Sequence, residues 1–151
     1  RGEMPRTYTV VPPRGAMDAP KTYALADDLN NPMTVLPATG EKDSIPTEFC
    51  TVASDAPNIL CETVKQAEDG EDTVCRFFEC SNTATTATLR FGHPVKKVML
   101  CDMSENDLQE LTVRDNAVTL DFRAFEIQTL KVNHTWIPGQ EGKRAGGKRL
   151  W

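Results

Sequence analysis

The chain has 151 residues, 39% hydrophobic and 26% charged, with a formal net charge of −5. That length suits one domain able to bury roughly 70% of its unfolded surface, and apolar runs of only a few residues exclude a membrane-spanning helix. Lys143, Arg144, Lys148 and Arg149 against the single acid Glu141 give residues 133–151 a charge of +3 and leave −8 on the rest, an acidic body that argues against a nucleic-acid partner.

The N-terminus, RGEMPRTYTVV, has no initiating Met and no apolar core of signal-peptide length, so it reads as a segment of a longer chain. Thr7 to Val11 alternate β-branched and aromatic residues before the turn at Pro12-Pro13-Arg14-Gly15, which predicts a short strand. Lys21 to Leu29 carries the one modest helical pattern, one or two turns ended by Asn30-Asn31-Pro32. Pro32 to Pro46 reads as a surface connection.

From Phe49 onward the period becomes two. Asn58 to Lys65 and Val74 to Ser81 are strand-like runs joined across Asp69-Gly70, the strongest turn signal in the chain, and predict a hairpin. Ala87-Leu89-Phe91, Val98 with Leu100, and Val118-Leu120-Phe122 each alternate with polar neighbours. Short, closely spaced strands without long crossover helices predict an all-β, antiparallel sandwich. The expected inward residues are Phe78, Phe91, Leu120, Phe122 and Ile127, with Phe77 on the face opposite Phe78. The organisation expected is an N-terminal segment over 1–46, a sandwich over 47–132 and an irregular basic tail over 133–151.

Cys50, Cys61, Cys75, Cys80 and Cys101 form an odd set without a C-x-x-C pair, which argues against a complete disulfide framework. Cys61, Cys75 and Cys101 lie inside apolar runs and read as buried thiols in a reducing, cytoplasmic compartment. His93 sits in the turn RFGHPV and His134 begins the tail; neither has the close Cys or His neighbours of a zinc cluster. Ser44, Ser54, Ser81 and Ser104 lie in turns without nucleophile-elbow surroundings.

Paired carboxyl groups are common acid–base machinery, which directs attention to Glu62, Glu79, Asp102, Glu105 and Glu126. All five lie in or beside strands, where pairing with Lys65, Arg76, Lys97 or Arg123 is the ordinary role. Glu126 stands amid Phe125 and Ile127, so backbone N–H groups or an arginine are expected to hold it as a structural anchor. No catalytic, cofactor-binding or metal-ligating residue is assigned.

Taken together, DAPNILCETVKQAEDG at Asp55 to Gly70, RFFEC at Arg76 to Cys80, VKKVMLCDMSEN at Val95 to Asn106 and LDFRAFEIQTLKV at Leu120 to Val132 resemble, in that order, a known region. It is the C-terminal region of the family-38 glycoside hydrolases, the zinc-dependent retaining α-mannosidases, especially their cytosolic, vacuolar and bacterial branch. TYTVVPPRGA and YALADDLNNPM resemble the segment leading into it, although Pro13 stands where the family commonly has the histidine of a Pro-His-x-Gly turn. The resemblance implies a non-catalytic β-sandwich that packs on the parent's catalytic domain and borders the carbohydrate site. It also implies that zinc, held by His and Asp ligands, belongs to that catalytic domain; neither His93 nor His134 begins an H-x-D motif. The chain alone is then expected to be inactive, with the catalytic domain as partner and mannose-containing glycans near it. The alternative is a self-standing carbohydrate-binding or adhesion module, for which the candidate stacking rings are Tyr8, Tyr23, Trp136 and Trp151.

Overall fold

The computed structural model describes residues 8–12, 15–35 and 49–134. Two units are distinguished, Arg1–Ala38 and Thr39–Trp151. In the first, helix α1 runs Ala19–Asn30, about three turns where one or two are expected. The extension follows from its start: Asp18 caps the helix by accepting from Lys21 N at 3.2 Å, with a proline in the first turn. Tyr8 to Val11 form no strand, because an alternating run without a neighbour has nowhere to place its hydrogen bonds; Thr7 and residues 36–46 lie outside the described residues. No residue of α1 is buried, and Tyr8, Val10, Tyr23 and Leu29 are exposed.

The second unit is the expected antiparallel sandwich. Its strands are β1 (Val52–Ser54), β2 (Ile59–Gln66), β3 (Thr73–Glu79), β4 (Thr85–Phe91), β5 (Val95–Cys101), β6 (Asp107–Leu111), β7 (Ala117–Phe122) and β8 (Ile127–His134). They form a three-stranded sheet, β1-β4-β7, and a five-stranded sheet, β2-β3-β8-β5-β6. The β2–β3 hairpin turns where Asp69-Gly70 places it. Strand β6 is an addition to the expected elements: its DLQEL sequence is exposed along nearly its whole length and carries no alternation to announce it.

Between the sheets lie Phe77, Leu89, Phe91, Val98, Phe122 and Leu130, all buried. Phe91 and Phe122 thus face inward as expected, and Leu120 packs against the core from a partly buried position. Phe78 and Ile127 do not. Phe77 and Cys75 take the inner face of β3, Phe78 is on the outer face and only half-buried, and its cross-strand partner Ile127 is 52% exposed. The error has a physical source: Val74 is fully buried on the outer face, so burial in β3 does not mark the core side.

Two local devices close one end of the sandwich. A Cβ on Gly92 would lie 2.0 Å from the Cys50 carbonyl oxygen and 2.9 Å from the Phe49 ring, so only glycine permits that approach. Asn116, at φ 60°, donates through Nδ2 to the carbonyls of Phe91 and His93 and accepts from Val95 N, tying the β4–β5 turn to the β6–β7 connection.

Candidate functional site

The chemically distinctive groups gather on the outer side of the five-stranded sheet and at its end. At the end of β3, Glu79 is 1% exposed. Its Oε1 accepts from Ser81 N at 2.7 Å and Asn58 Nδ2 at 2.9 Å, and its Oε2 accepts from Phe125 N at 3.0 Å and Thr83 N at 3.2 Å. Burial pushes the Glu79 carboxyl up, but these four donors outweigh it and hold the pKa down at about 2. One ionised side chain thereby joins the start of β2, the β3–β4 turn and the β7–β8 turn. No cation is among its described partners, contrary to the expected ion pair.

Lys131, in the central strand β8, is buried on the outer face opposite Val74 and Met99. Its ammonium lies 3.0 Å from both Asp69 and Asp107, which hold its pKa above the usual lysine value. Beside it Glu105, at φ 68°, pairs with Lys65 at 2.7 Å and accepts from Glu68 N at 2.9 Å. Arg76 reaches Thr129 Oγ1 and the Met103 carbonyl. The β2–β3 and β5–β6 loops are in this way fastened over the middle of the sheet, which is why Val74, Thr129 and Cys101 are buried on a face expected to meet water.

The remaining sequence candidates are placed as follows. Glu126 is anchored as expected: its Oε2 accepts from Arg123 N at 2.7 Å and its Oε1 from the Arg123 guanidinium at 2.6 Å, which lowers its pKa. Asp102 accepts from Asn106 and Ser104 within its own loop, and Glu62 is exposed; among the described residues neither forms the ion pair expected. Lys97 pairs with Glu110 at 3.4 Å. Ser54 donates to the Ala56 carbonyl, while Ser81 and Ser104 offer backbone N–H groups to carboxylates. Ser44, Trp136 and Trp151 lie outside the described residues.

His93 and His134 meet edge to face, 5.7 Å between centroids, with the Phe49 ring tilted against His93 at 4.4 Å. Burial and the neighbouring His93 lower the His134 pKa, and its Nδ1 is buried without a hydrogen bond to the described residues. Sequence places His134 in a tail; it is the last residue of β8. Among the described residues no group of three or more His, Cys, Asp or Glu could hold a metal ion.

All five cysteines are free, with Cys75, Cys80 and Cys101 buried and Cys50 and Cys61 exposed. The exposure of Cys61 departs from expectation, since β2 is an edge strand. Burial pushes the Cys75 thiol up to about 12 and that of Cys101 to about 11, which leaves both unreactive. Among the described residues no helix is long and apolar enough to cross a membrane. A groove of about 490 Å3 beside β4 and β7 is lined by Thr88, Arg90, Gln109, Arg114 and Thr119 among others, without an aromatic ring. Arg90 there is bonded to the Asp115 carbonyl.

The arrangement anchors loops: Glu79, Glu105 and Glu126 are each held by hydrogen bonds or ion pairs within the sandwich. Comparison with known proteins agrees with that architecture. Residues 58–130 match the family described as glycosyl hydrolases family 38 C-terminal beta sandwich domain, a span that includes every partner of Glu79. Over 129 residues the chain is 29% identical to alpha-mannosidase 2C1 of Mus musculus, an alignment covering 82% of this chain and 12% of that protein. The chain therefore corresponds to a small fraction of that relative's length. The sandwich built around Glu79 and Lys131 is thus similar, over residues 58–130, to the C-terminal β-sandwich domain of the family-38 glycosyl hydrolases.

Proposed function

We propose that this chain is the non-catalytic C-terminal sandwich of an α-mannosidase-like hydrolase, where it supports the catalytic domain and borders the carbohydrate site. The match over residues 58–130 carries the reading. The state of the acids supports it. Glu79, Glu105 and Glu126 are each committed to hydrogen bonds or ion pairs within the sandwich, so none is poised as general acid or nucleophile. Zinc in such a hydrolase would be held by the catalytic domain. The five free thiols support a reducing, cytoplasmic setting.

The test is kinetic and calorimetric. The isolated chain should give no turnover of aryl α-mannosides with or without zinc, whereas the full-length polypeptide should hydrolyse them and lose folded, active protein when residues 58–134 are removed. Turnover by the chain alone that scales with protein and survives repurification would overturn the reading. Titration of the chain with mannose and mannobiose should give no saturable heat; saturation would favour a self-standing carbohydrate-binding module.

A further inference from the structure

The geometry points to the β7–β8 turn as the place where this domain docks, through Phe125 and Ile127, into an apolar recess on the rest of the hydrolase polypeptide. This rests on the proposed function above. Among the described residues five non-glycine residues have positive φ: Asn82, Glu105, Asp115, Asn116 and Phe125. Asn and Asp adopt this conformation readily. Glu105 uses it to bring its carboxylate to Lys65 and Glu68 N. Phe125, at φ 58°, uses it to bring its backbone N–H to Glu79, but its side chain gains nothing inside the sandwich, because the residue is 63% exposed and outside the core.

The strained turn is held from every side. Phe125 N donates to Glu79 at 3.0 Å, Glu79 N donates to the Glu126 carbonyl at 3.0 Å, and Glu126 N donates to the Arg123 carbonyl at 3.0 Å. Arg123 clamps Glu126 through its backbone and guanidinium, and Gln128 Nε2 donates to the Asp121 carbonyl at 2.8 Å. The result is an aromatic ring fixed outward, followed by the exposed Ile127. Strain that persists because its surroundings over-determine it is a mark of function, and a rigid exposed aromatic loses little entropy when it enters a pocket.

Two observations select the occupant. The alignment covers 12% of the relative, so in a protein of that organisation most of the polypeptide lies beyond these residues and is available to cover them. The donors beside the ring are already engaged, Arg123 with Glu126 and Gln128 Nε2 with the Asp121 carbonyl, and the one acceptor without a partner among the described residues, Gln128 Oε1, is buried, whereas a stacked sugar needs free and accessible donors and acceptors around the ring. An apolar recess makes no such demand.

Hydroxyl-radical footprinting of the isolated chain and of the full-length polypeptide tests this. Phe125 and Ile127 should be modified freely in the isolated chain and about tenfold less in the full-length protein, as at an interface core. Phe125→Gly should leave the melting temperature of the isolated chain unchanged or raise it, since it relieves the positive φ, and should lower that of the full-length protein. If other residues of the chain are protected while Phe125 stays reactive, the docking site is elsewhere and the supporting role stands. Absence of any protection would overturn the supporting role itself. Protection appearing only with added mannoside would make the turn a sugar contact, protection already complete in the isolated chain would make the occupant the chain itself, and protection of the isolated chain rising with concentration would indicate a second copy; each overturns the proposal.

Discussion

Glu79 and Lys131 are both buried and charged in one sheet, yet they are stabilised in opposite ways. Glu79 is solvated by neutral dipoles, three backbone N–H groups and one amide, all belonging to turns. Lys131 is balanced by two carboxylates whose own side chains are largely in water, Asp69 at 68% and Asp107 at 48% exposure. Dipoles held by the backbone cannot find other partners when the charge is removed. Exposed carboxylates can, because water hydrates them at once. The acid should therefore be a structural requirement and the lysine close to dispensable.

The most severe way to break this contrast is Glu79→Gln, which keeps volume but turns an amide N–H2 toward other donors. It should cost about 3–5 kcal/mol, as several buried donors lose their acceptor, and so match Phe122→Ala, for which filling lost from the core predicts about 3–5 kcal/mol. Chemical denaturation measures both; a loss under about 1 kcal/mol for Glu79→Gln would mean that water replaces the carboxylate.

Acid titration sharpens the contrast. The folded pKa of Glu79 is depressed to about 2 from 4.5, so its contribution is complete above 4.5 and is lost as pH falls toward 2. The difference in stability between the parent and Glu79→Gln should shrink over that window. Lys131 has a raised pKa, so its contribution is present below 10.5 and is lost only as pH rises beyond it. Thermal melts across both limbs check the two signs. The smallest effect should come from Lys131→Met, which changes stability by about 1 kcal/mol or less in either direction and removes part of the salt dependence of unfolding.

Much of the sandwich was legible because alternation and turn residues agree with it. The Asp69-Gly70 hairpin, the inward Phe91 and Phe122, and the Arg123–Glu126 anchor follow from local pattern. The facing of β3 was not, because alternation assumes one wet face and here loops cover the outer face over Val74. Glu79 could have been found. It stands between Phe78 and Cys80 much as Glu126 stands between Phe125 and Ile127, and an acid in an apolar run is the same signal in both places. What no local pattern carries is that its donors come from positions 58, 81, 83 and 125, which only the fold brings together. Strand β6 was illegible for the converse reason, since an exposed edge strand buries too little to leave a periodic trace.

The position of β8 has a kinetic consequence. Among the described residues it is the last of eight strands in sequence but the middle one of its sheet, separating the β2–β3 hairpin from the β5–β6 hairpin. As the chain leaves the ribosome, each hairpin emerges with an inner edge that nothing earlier in the sandwich can cover, and both stay open to pairing with other chains until Ile127–His134 has been made. Assembly of the five-stranded sheet is then a late event governed by distant contacts, slow by the standards of local hairpins. Nascent sandwiches that stall before β8 should be the species that chaperones bind and that aggregate first.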